Sequence, residues 1–301
     1  MPTDSKSGAA GKAGAGEARL RVRKTYKLYL GGAFPRSESG RSYPVSSARG
    51  TLLAHAAQAS RKDVRDAVVA ARKAFGGWSG ATAYNRGQVL YRVAELLDGR
   101  REQFAAEVQA AEGGTARAAA AQVAAAIDRW VYYAGWADKY AQVAGGTNPV
   151  AGPYFNFSLP EPTGVVAIVA PQDSSLLGLV SVLAPALTTG NTTVVLAAQD
   201  RPLPAVSLTE VLATSDVPGG VVNLLTGFTA ELAPWLASHR DVNAIGLTGV
   251  PPAERAALEI AAADNVKRVY VPRSVDWSTD AGLSRLDAFV ETKTVWHPIG
   301  V

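Results

Sequence analysis

Hydrophobic and polar positions in residues 164–271 form two alternating kinds of segment. Short runs that are apolar on both faces are strand candidates at 164–170, 192–198, 220–226, 242–248 and 266–271. Between them lie segments with helical periodicity at 175–188, 202–214, 229–238 and 252–263. Strands that are apolar on both faces and alternate with helices favour a parallel sheet covered on both sides. The pattern therefore predicts an α/β, Rossmann-like doubly wound fold.

The residues before this region show helical periodicity. Ser60 is a candidate N-cap for a helix over 61–75, and residues 84–110 repeat the helical pattern. Thr115 begins an alanine-rich helix that we expect to run to about residue 141. One stripe of this helix, which we expect to pack in the core, consists of Trp130, Tyr133, Ala137 and Tyr140.

Two further segments depart from the strand–helix alternation. Residues 147–162 carry prolines and alternating aromatic side chains, which indicates an edge hairpin or an excursion rather than a core strand, because proline cannot donate a hydrogen bond inside a sheet. Residues 286–296 alternate like a single closing strand, after a polar, turn-rich stretch.

Composition narrows the class of protein. The 301 residues are 48% hydrophobic and 19% charged, which is enough for a large core, and no run approaches the roughly 18 apolar residues of a membrane span. Residues 1–24 are small, polar and basic and lack the apolar core of a signal peptide, so we expect a disordered tail and a cytoplasmic protein. The abundance of alanine and the preference for arginine over lysine indicate a bacterial source with a GC-rich genome.

Charge and the chemistry-bearing residues exclude several kinds of site. The net charge is +4, but no basic stripe with interleaved aromatics follows the tail, so we expect no nucleic-acid partner. The absence of cysteine excludes a thiol nucleophile, a disulfide and a thiolate zinc site. His55, His239 and His297 are far apart in the sequence and lack the spacing of metal ligands, so no metal site is predicted.

The order of several motifs resembles the aldehyde dehydrogenase superfamily, which oxidises aldehydes with NAD or NADP. These motifs are Leu30-Gly-Gly-Ala-Phe34, Tyr133-Ala-Gly-Trp-Ala-Asp-Lys139, Glu161-Pro-Thr-Gly-Val-Val166, Ala184-Pro-Ala-Leu-Thr-Thr-Gly-Asn191, Pro218-Gly-Gly-Val-Val-Asn223 and Leu247-Thr-Gly249. The resemblance implies an NAD(P)-binding-like domain over 25–146 and 163–271. It also implies an oligomerisation element over 147–162 and 285–299, joined by a short bridge at 272–284 where the family has its catalytic domain.

The catalytic positions depart from the family. Asp173 stands where the resembled enzymes have the asparagine that stabilises the oxyanion, and an ionised carboxylate cannot donate that hydrogen bond. Asp173 or the adjacent Ser174 is also a candidate helix N-cap. Pro272 stands where the family has its general-base glutamate. Without a thiolate no covalent adduct forms, so the resemblance assigns no catalytic residue to this chain.

The cofactor positions are only partly retained. Gly227, Thr248 and Gly249 match family residues that lie near the dinucleotide, and they are the candidate cofactor-binding residues. The stretch 197–200 lacks the family's lysine, although Asp200 could accept a hydrogen bond from a ribose hydroxyl, and Val250 replaces a serine. NAD or NADP binding is therefore expected to be weakened.

The resemblance and the departures together favour a non-catalytic structural or regulatory subunit. Its expected partner is a full-length aldehyde dehydrogenase or a second copy of itself, with no membrane or nucleic acid involved. Two alternatives stay open: an NAD(P)-binding module or sensor, and a residual oxidoreductase acting on aldehydes with NAD(P).

Overall fold

The computed structural model describes residues 23–272, 275–279 and 282–300. Its helices are α1 (Arg61–Gly80), α2 (Ala83–Asp98), α3 (Arg101–Glu112), α4 (Ala116–Trp136), α5 (Tyr140–Ala144), α6 (Leu177–Thr188), α7 (Leu203–Thr214), α8 (Thr229–Ser238), α9 (Pro252–Ala263) and α10 (Ser284–Asp287). Its strands are β1 (Thr25–Tyr26), β2 (Ser42–Ser46), β3 (Leu52–Ala57), β4 (Gly146–Asn148), β5 (Tyr154–Pro162), β6 (Val165–Val169), β7 (Thr192–Leu196), β8 (Val222–Leu225), β9 (Ala244–Gly246), β10 (Arg268–Tyr270) and β11 (Val290–Pro298).

The predicted disordered tail falls mainly on residues 1–22, which lie outside the described residues. Lys24, which that prediction included, belongs to the folded part. Its Nζ lies 2.9 Å from Oε1 of Glu210 on α7. No helix in the described ranges is long and apolar enough to cross a membrane.

A five-stranded parallel sheet forms the centre, in the order β10-β9-β6-β7-β8. Every residue of β6, β7, β8 and β9 is buried, which is why these segments have no polar face in the sequence. Chain connections lead from β6 towards β7 and β8 and then return to β9 beside β6. Read from β8 to β10 and numbered along the chain, this is the order 3-2-1-4-5, which matches five of the six strands of the Rossmann sheet, so the predicted fold class is confirmed.

Helices cover both faces of the sheet. Val165, Ala167 and Val169 of β6 pack in one cluster with α1, α8 and α9. The intervening Val166 and Ile168 pack in another with α2, α4, α6 and α7. The stripe predicted on the alanine-rich helix is confirmed as core: Trp130, Tyr133, Ala137 and Tyr140 are all buried.

The helix boundaries differ from the predictions in two places. The prediction of a single helical segment over 84–110 is wrong, because α2 ends at Asp98 and α3 begins at Arg101. Gly99, which costs the most free energy in a helix interior among residues other than proline, lies in the break. The alanine-rich helix ends at Trp136 rather than near residue 141. By contrast, Ser60 caps α1 as predicted, with Asp63 completing a capping box.

A three-stranded antiparallel sheet, the hairpin sheet, consists of β4, β5 and β11 in the order β11-β5-β4. β11 pairs with β5 over nine residues, from Val290 opposite Pro162 to Pro298 opposite Tyr154. The prediction that the closing segment is a strand, and that it pairs with the hairpin, is therefore confirmed. A smaller sheet has the order β1-β3-β2, and Tyr43 on β2 contacts the loop after β7.

Candidate functional site

The strands of the central sheet are parallel, so their carboxyl ends meet at one edge, which we call the carboxyl edge. In doubly wound folds ligands bind there, at the point where the strand order reverses. In this sheet that point lies between the ends of β6 and β9. The candidate site residues from the sequence all follow strands at this edge: Asp173, Asp200, Gly227, Thr248, Gly249 and Pro272.

Asp173 is exposed in the turn between β6 and α6. Its Oδ1 accepts a hydrogen bond from Nε1 of Trp277 at 3.3 Å, and its backbone oxygen accepts one from Arg201 at 3.1 Å. It does not cap α6. Of the two capping candidates, only Ser174 contacts an amide of the first turn, accepting from Gly178 N at 2.9 Å. The Asp173 carboxylate therefore acts as an acceptor where the resembled enzymes need a donor.

Pro272 follows β10 and is half-buried. Its pyrrolidine ring carries no group that could take a proton, so the position cannot supply a general base. The sequence has no cysteine to serve as a nucleophile. In the described ranges, no three His, Cys, Asp or Glu side chains are grouped so that they could hold a metal ion.

The segment after Pro272 packs over the start of α6. Arg129 of α4 is 7% exposed and donates from Nη1 to Ser181 Oγ at 3.0 Å. Its Nη2 donates to the backbone oxygens of Trp277 and Thr279, at 3.1 and 2.9 Å. The Trp277 ring also lies 5.2 Å from the Arg285 guanidinium. We call residues 275–279 the strap, since these contacts fasten it across the start of α6.

Gly227 has a backbone conformation that favours glycine, with φ of +147°. A Cβ at this position would lie 3.0 Å from Leu232 Cδ1 and 3.3 Å from the backbone nitrogen of Ala59. The missing side chain therefore makes room for neighbouring protein atoms rather than for a ligand.

Gly249 packs in the same manner against the end of β6. Its amide donates to Val169 O at 3.0 Å, and a Cβ there would overlap the carbonyl oxygen of Ala170. Thr248 lines a cavity of about 10 Å³ with Tyr270, Arg285 and Phe289. A cavity of that size holds about one water molecule.

Two glutamines that the sequence did not single out connect the strand ends. Gln172 accepts a hydrogen bond from the amide of Gln199, whose side chain in turn accepts from the amide of Thr229. Asp200, the candidate ribose ligand, is exposed, and its carboxylate contacts the Gln199 side-chain nitrogen at 3.5 Å. With the two glycines packed on protein atoms, the residues at this edge do not fit a dinucleotide.

The hairpin sheet is the second candidate site, a candidate surface for contact with another protein chain. Successive side chains of a strand point to opposite faces, so Phe155, Phe157 and Leu159 share one face, and Tyr154 lies on the other. The Tyr154 ring packs edge-on against Trp296, with ring centroids 5.7 Å apart. Large apolar side chains here are exposed by 42 to 58%: Tyr154, Phe155, Leu159 and Trp296.

A model of the aldehyde dehydrogenase family matches residues 35–272. The chain is 34% identical over 260 residues to cytosolic 10-formyltetrahydrofolate dehydrogenase of Mus musculus, covering 83% of the chain and 28% of that protein. It is 34% identical over 248 residues to mitochondrial benzaldehyde dehydrogenase of Antirrhinum majus, covering 81% of the chain and 46% of that protein. The chain thus spans less than half the length of these curated relatives.

Solved structures show the same relationship. An NAD+ complex of an aldehyde dehydrogenase from Bacillus cereus superposes with a TM-score of 0.78 at 28% identity, over 82% of this chain and 50% of that one. PnpE from Pseudomonas sp. WBC-3 superposes with a TM-score of 0.78 at 31% identity, over the same shares of the two chains. The TM-scores show that the chain shares the backbone fold of these two proteins, in addition to the sequence similarity.

Proposed function

Because the chain belongs to the aldehyde dehydrogenase family, we propose that it is a non-catalytic structural or regulatory subunit. It assembles through the hairpin sheet with a second copy of itself or with a full-length aldehyde dehydrogenase. The observation that carries the proposal is the hairpin sheet itself, with β11 fully paired to β5 and large apolar side chains left exposed.

The non-catalytic part of the proposal is supported by the residues at the carboxyl edge. The sequence contains no cysteine, Pro272 offers no base, and Asp173 offers an acceptor that is held by Trp277. An ionised carboxylate in that place repels a developing oxyanion instead of stabilising it.

The assembly part is supported by the composition of the hairpin sheet. Soluble monomers seldom expose large contiguous apolar patches, and aromatic side chains are enriched in protein interfaces. On this sheet Trp296 is 58% exposed, and Phe155 and Leu159 are exposed on a common face. In the described residues the outer edge of β11 has no strand partner, so its backbone groups are also available.

Coexpression with the full-length aldehyde dehydrogenase of the same host tests this function. We expect the tagged chain to copurify with that enzyme, or to form a dimer or larger species by native mass spectrometry when expressed alone. The combined variant Phe155→Ser, Leu159→Ser, Trp296→Ser should abolish assembly, because it removes exposed apolar area without touching the core.

Tyr84→Ser is the matched control, because Tyr84 is an aromatic residue 65% exposed on α2, outside the hairpin sheet. It should assemble like the wild type. A chain that stays monomeric and ignores the full-length enzyme contradicts the proposal, as does a triple variant that assembles normally.

A further inference from the structure

A continuous set of hydrogen bonds crosses the carboxyl edge from β6 to α8. Gln172 Nε2 donates to Ala170 O at 2.7 Å, and Gln172 Oε1 accepts from Gln199 N at 2.9 Å. Gln199 Oε1 then accepts from Thr229 N at 3.2 Å. Two side chains from two loops therefore join the ends of β6 and β7 to the first residue of α8.

The amide of Thr229 is one of the donors that a helix leaves without a partner in its first turn. Where a doubly wound domain binds a nucleotide, such amides donate to phosphate oxygens. Here the backbone N–H of Thr229 donates instead to the side-chain oxygen of Gln199. Two later amides of this helix start, those of Glu231 and Leu232, both donate to Phe228 O at 3.1 Å.

The charge around this helix start also opposes an anion. Glu231 lies in the first turn of α8, where a carboxylate stabilises the helix dipole by itself. The side-chain amide of Gln58 donates to Glu231 Oε2 at 3.3 Å, and Arg41 lies 3.8 Å from the same oxygen. The Arg41 guanidinium is therefore already paired with a carboxylate of the protein.

The Gln199 backbone is fixed from the outside by Tyr43. The Tyr43 hydroxyl donates to Gln199 O at 3.1 Å, and the Tyr43 ring packs on Phe228 with centroids 5.4 Å apart. Tyr43 is 7% exposed, and burial raises the pKa of its hydroxyl, which keeps it a donor. The loop after β7 is thus held close to the start of α8.

We propose that Gln199 is an internal substitute for a ligand oxygen at the start of α8, and that Gln172 positions it. By occupying this donor, the two side chains oppose the binding of a dinucleotide phosphate at the start of α8. This inference goes beyond assembly and is independent of it, since neither glutamine lies in the hairpin sheet.

Residue-resolved hydrogen exchange by NMR tests the substitution directly. Gln199→Ala should raise the exchange rate of the Thr229 amide about tenfold, the factor expected for one lost hydrogen bond, and leave the later amides of α8 unchanged. Gln172→Ala should give a smaller rise. Gln88→Ala, an exposed glutamine of α2, is the control and should change nothing at Thr229.

Gln199→Glu separates this effect from misfolding, because its carboxylate still accepts from Thr229 N and should preserve the slow exchange. Titration of the wild-type chain with NAD, NADP and ADP-ribose should give no saturable heat at millimolar ligand. Unchanged Thr229 exchange in Gln199→Ala, or saturable binding that shifts the Thr229 resonance of the wild type, overturns the proposal. A chain that binds NAD and still assembles through the hairpin sheet overturns this inference alone.

Discussion

Trp277 donates its indole N–H to the carboxylate of Asp173 across 104 residues of sequence, with Nε1 and Oδ1 3.3 Å apart. The acceptor stands where the resembled enzymes present an amide donor to the reacting oxygen. The donor belongs to the strap, which follows the end of β10. The turn after β6 therefore binds a segment of its own protein.

Replacement of Asp173 should loosen the strap without unfolding the domain. For Asp173→Ala we expect a loss of at most about 1 kcal/mol in the free energy of unfolding, because the hydrogen bond is long and exposed. Iodide quenching measures the effect at Trp277, with Trp277→Phe chains as the reference for the other tryptophans. If iodide quenches Trp277 equally in the wild type and in Asp173→Ala, the hydrogen bond to Asp173 does not hold the strap.

Asp173→Asn should not restore aldehyde oxidation. The substitution returns the amide donor of the family, but the sequence still has no cysteine and Pro272 still occupies the base position. An NADH-production assay on several aldehydes, with the purified chain alone, should show no rate above background for wild type and variant. A rate that appears in the Asp173→Asn variant and not in the wild type would contradict a non-catalytic role.

Arg129 should be the largest single polar contributor to strap stability. Its guanidinium is buried and donates to the buried Ser181 hydroxyl and to two part-buried strap carbonyls, so Arg129→Ala removes three hydrogen bonds at once. We expect a loss of about 3 kcal/mol in the free energy of unfolding by urea denaturation. Arg117→Ala, on the exposed side of the same helix, is the control and should stay within about 0.5 kcal/mol of wild type.

Glu112 should couple α3 to the start of α6. Its Oε1 accepts from both the amide and the hydroxyl of Ser175, each at 2.6 Å. Glu112→Ala should cost about 1–2 kcal/mol, and Glu112→Gln less, since the amide oxygen still accepts. Glu102→Ala, in the exposed first turn of α3, should be nearly neutral. Equal stability of Glu112→Ala and wild type would remove the proposed coupling.

Lys267 should make stability depend on pH in the alkaline range. Burial lowers the pKa of its ammonium to about 8, while its Nζ donates to His239 O, Val242 O and Asn265 Oδ1. Between that value and the ordinary 10.5 the unfolded chain binds more protons, so this residue raises stability as pH rises.

The expected gain from Lys267 between pH 8 and 10 is about 1–2 kcal/mol. Buried tyrosines oppose it, because burial raises the pKa of Tyr43 and Tyr133, and the unfolded chain loses these protons first as pH passes about 10. The difference between wild type and Lys267→Met in urea denaturation isolates the lysine. A difference that stays constant with pH would contradict the assignment.

The central sheet could be predicted because burial on both faces leaves a direct record in the sequence. β6 and β7 contain no charged residue, and the helices between strands keep their periodicity. The break at Gly99 was missed because Leu97 and Phe104, on either side of it, are both buried and continue the apolar pattern.

At the carboxyl edge, the sequence could predict only which catalytic groups of the family are missing. Comparison with family positions identified Asp173 and Pro272 as departures. Gln172, Gln199 and Trp277 gave no signal, because their partners lie in other loops and depend on how those loops pack. Arg129 was hidden in the same way, as one charge in an alanine-rich helix.

The pairing of β11 with β5 also sets the order of events during synthesis. Residues 163–289 separate the two strands, so β5 leaves the ribosome long before its main partner exists. Contacts between strands so far apart in sequence form slowly, and an unpaired edge invites association with other chains meanwhile. The unpaired backbone edge of β5 is thus a liability in the nascent chain, and pairing with β11 closes that edge.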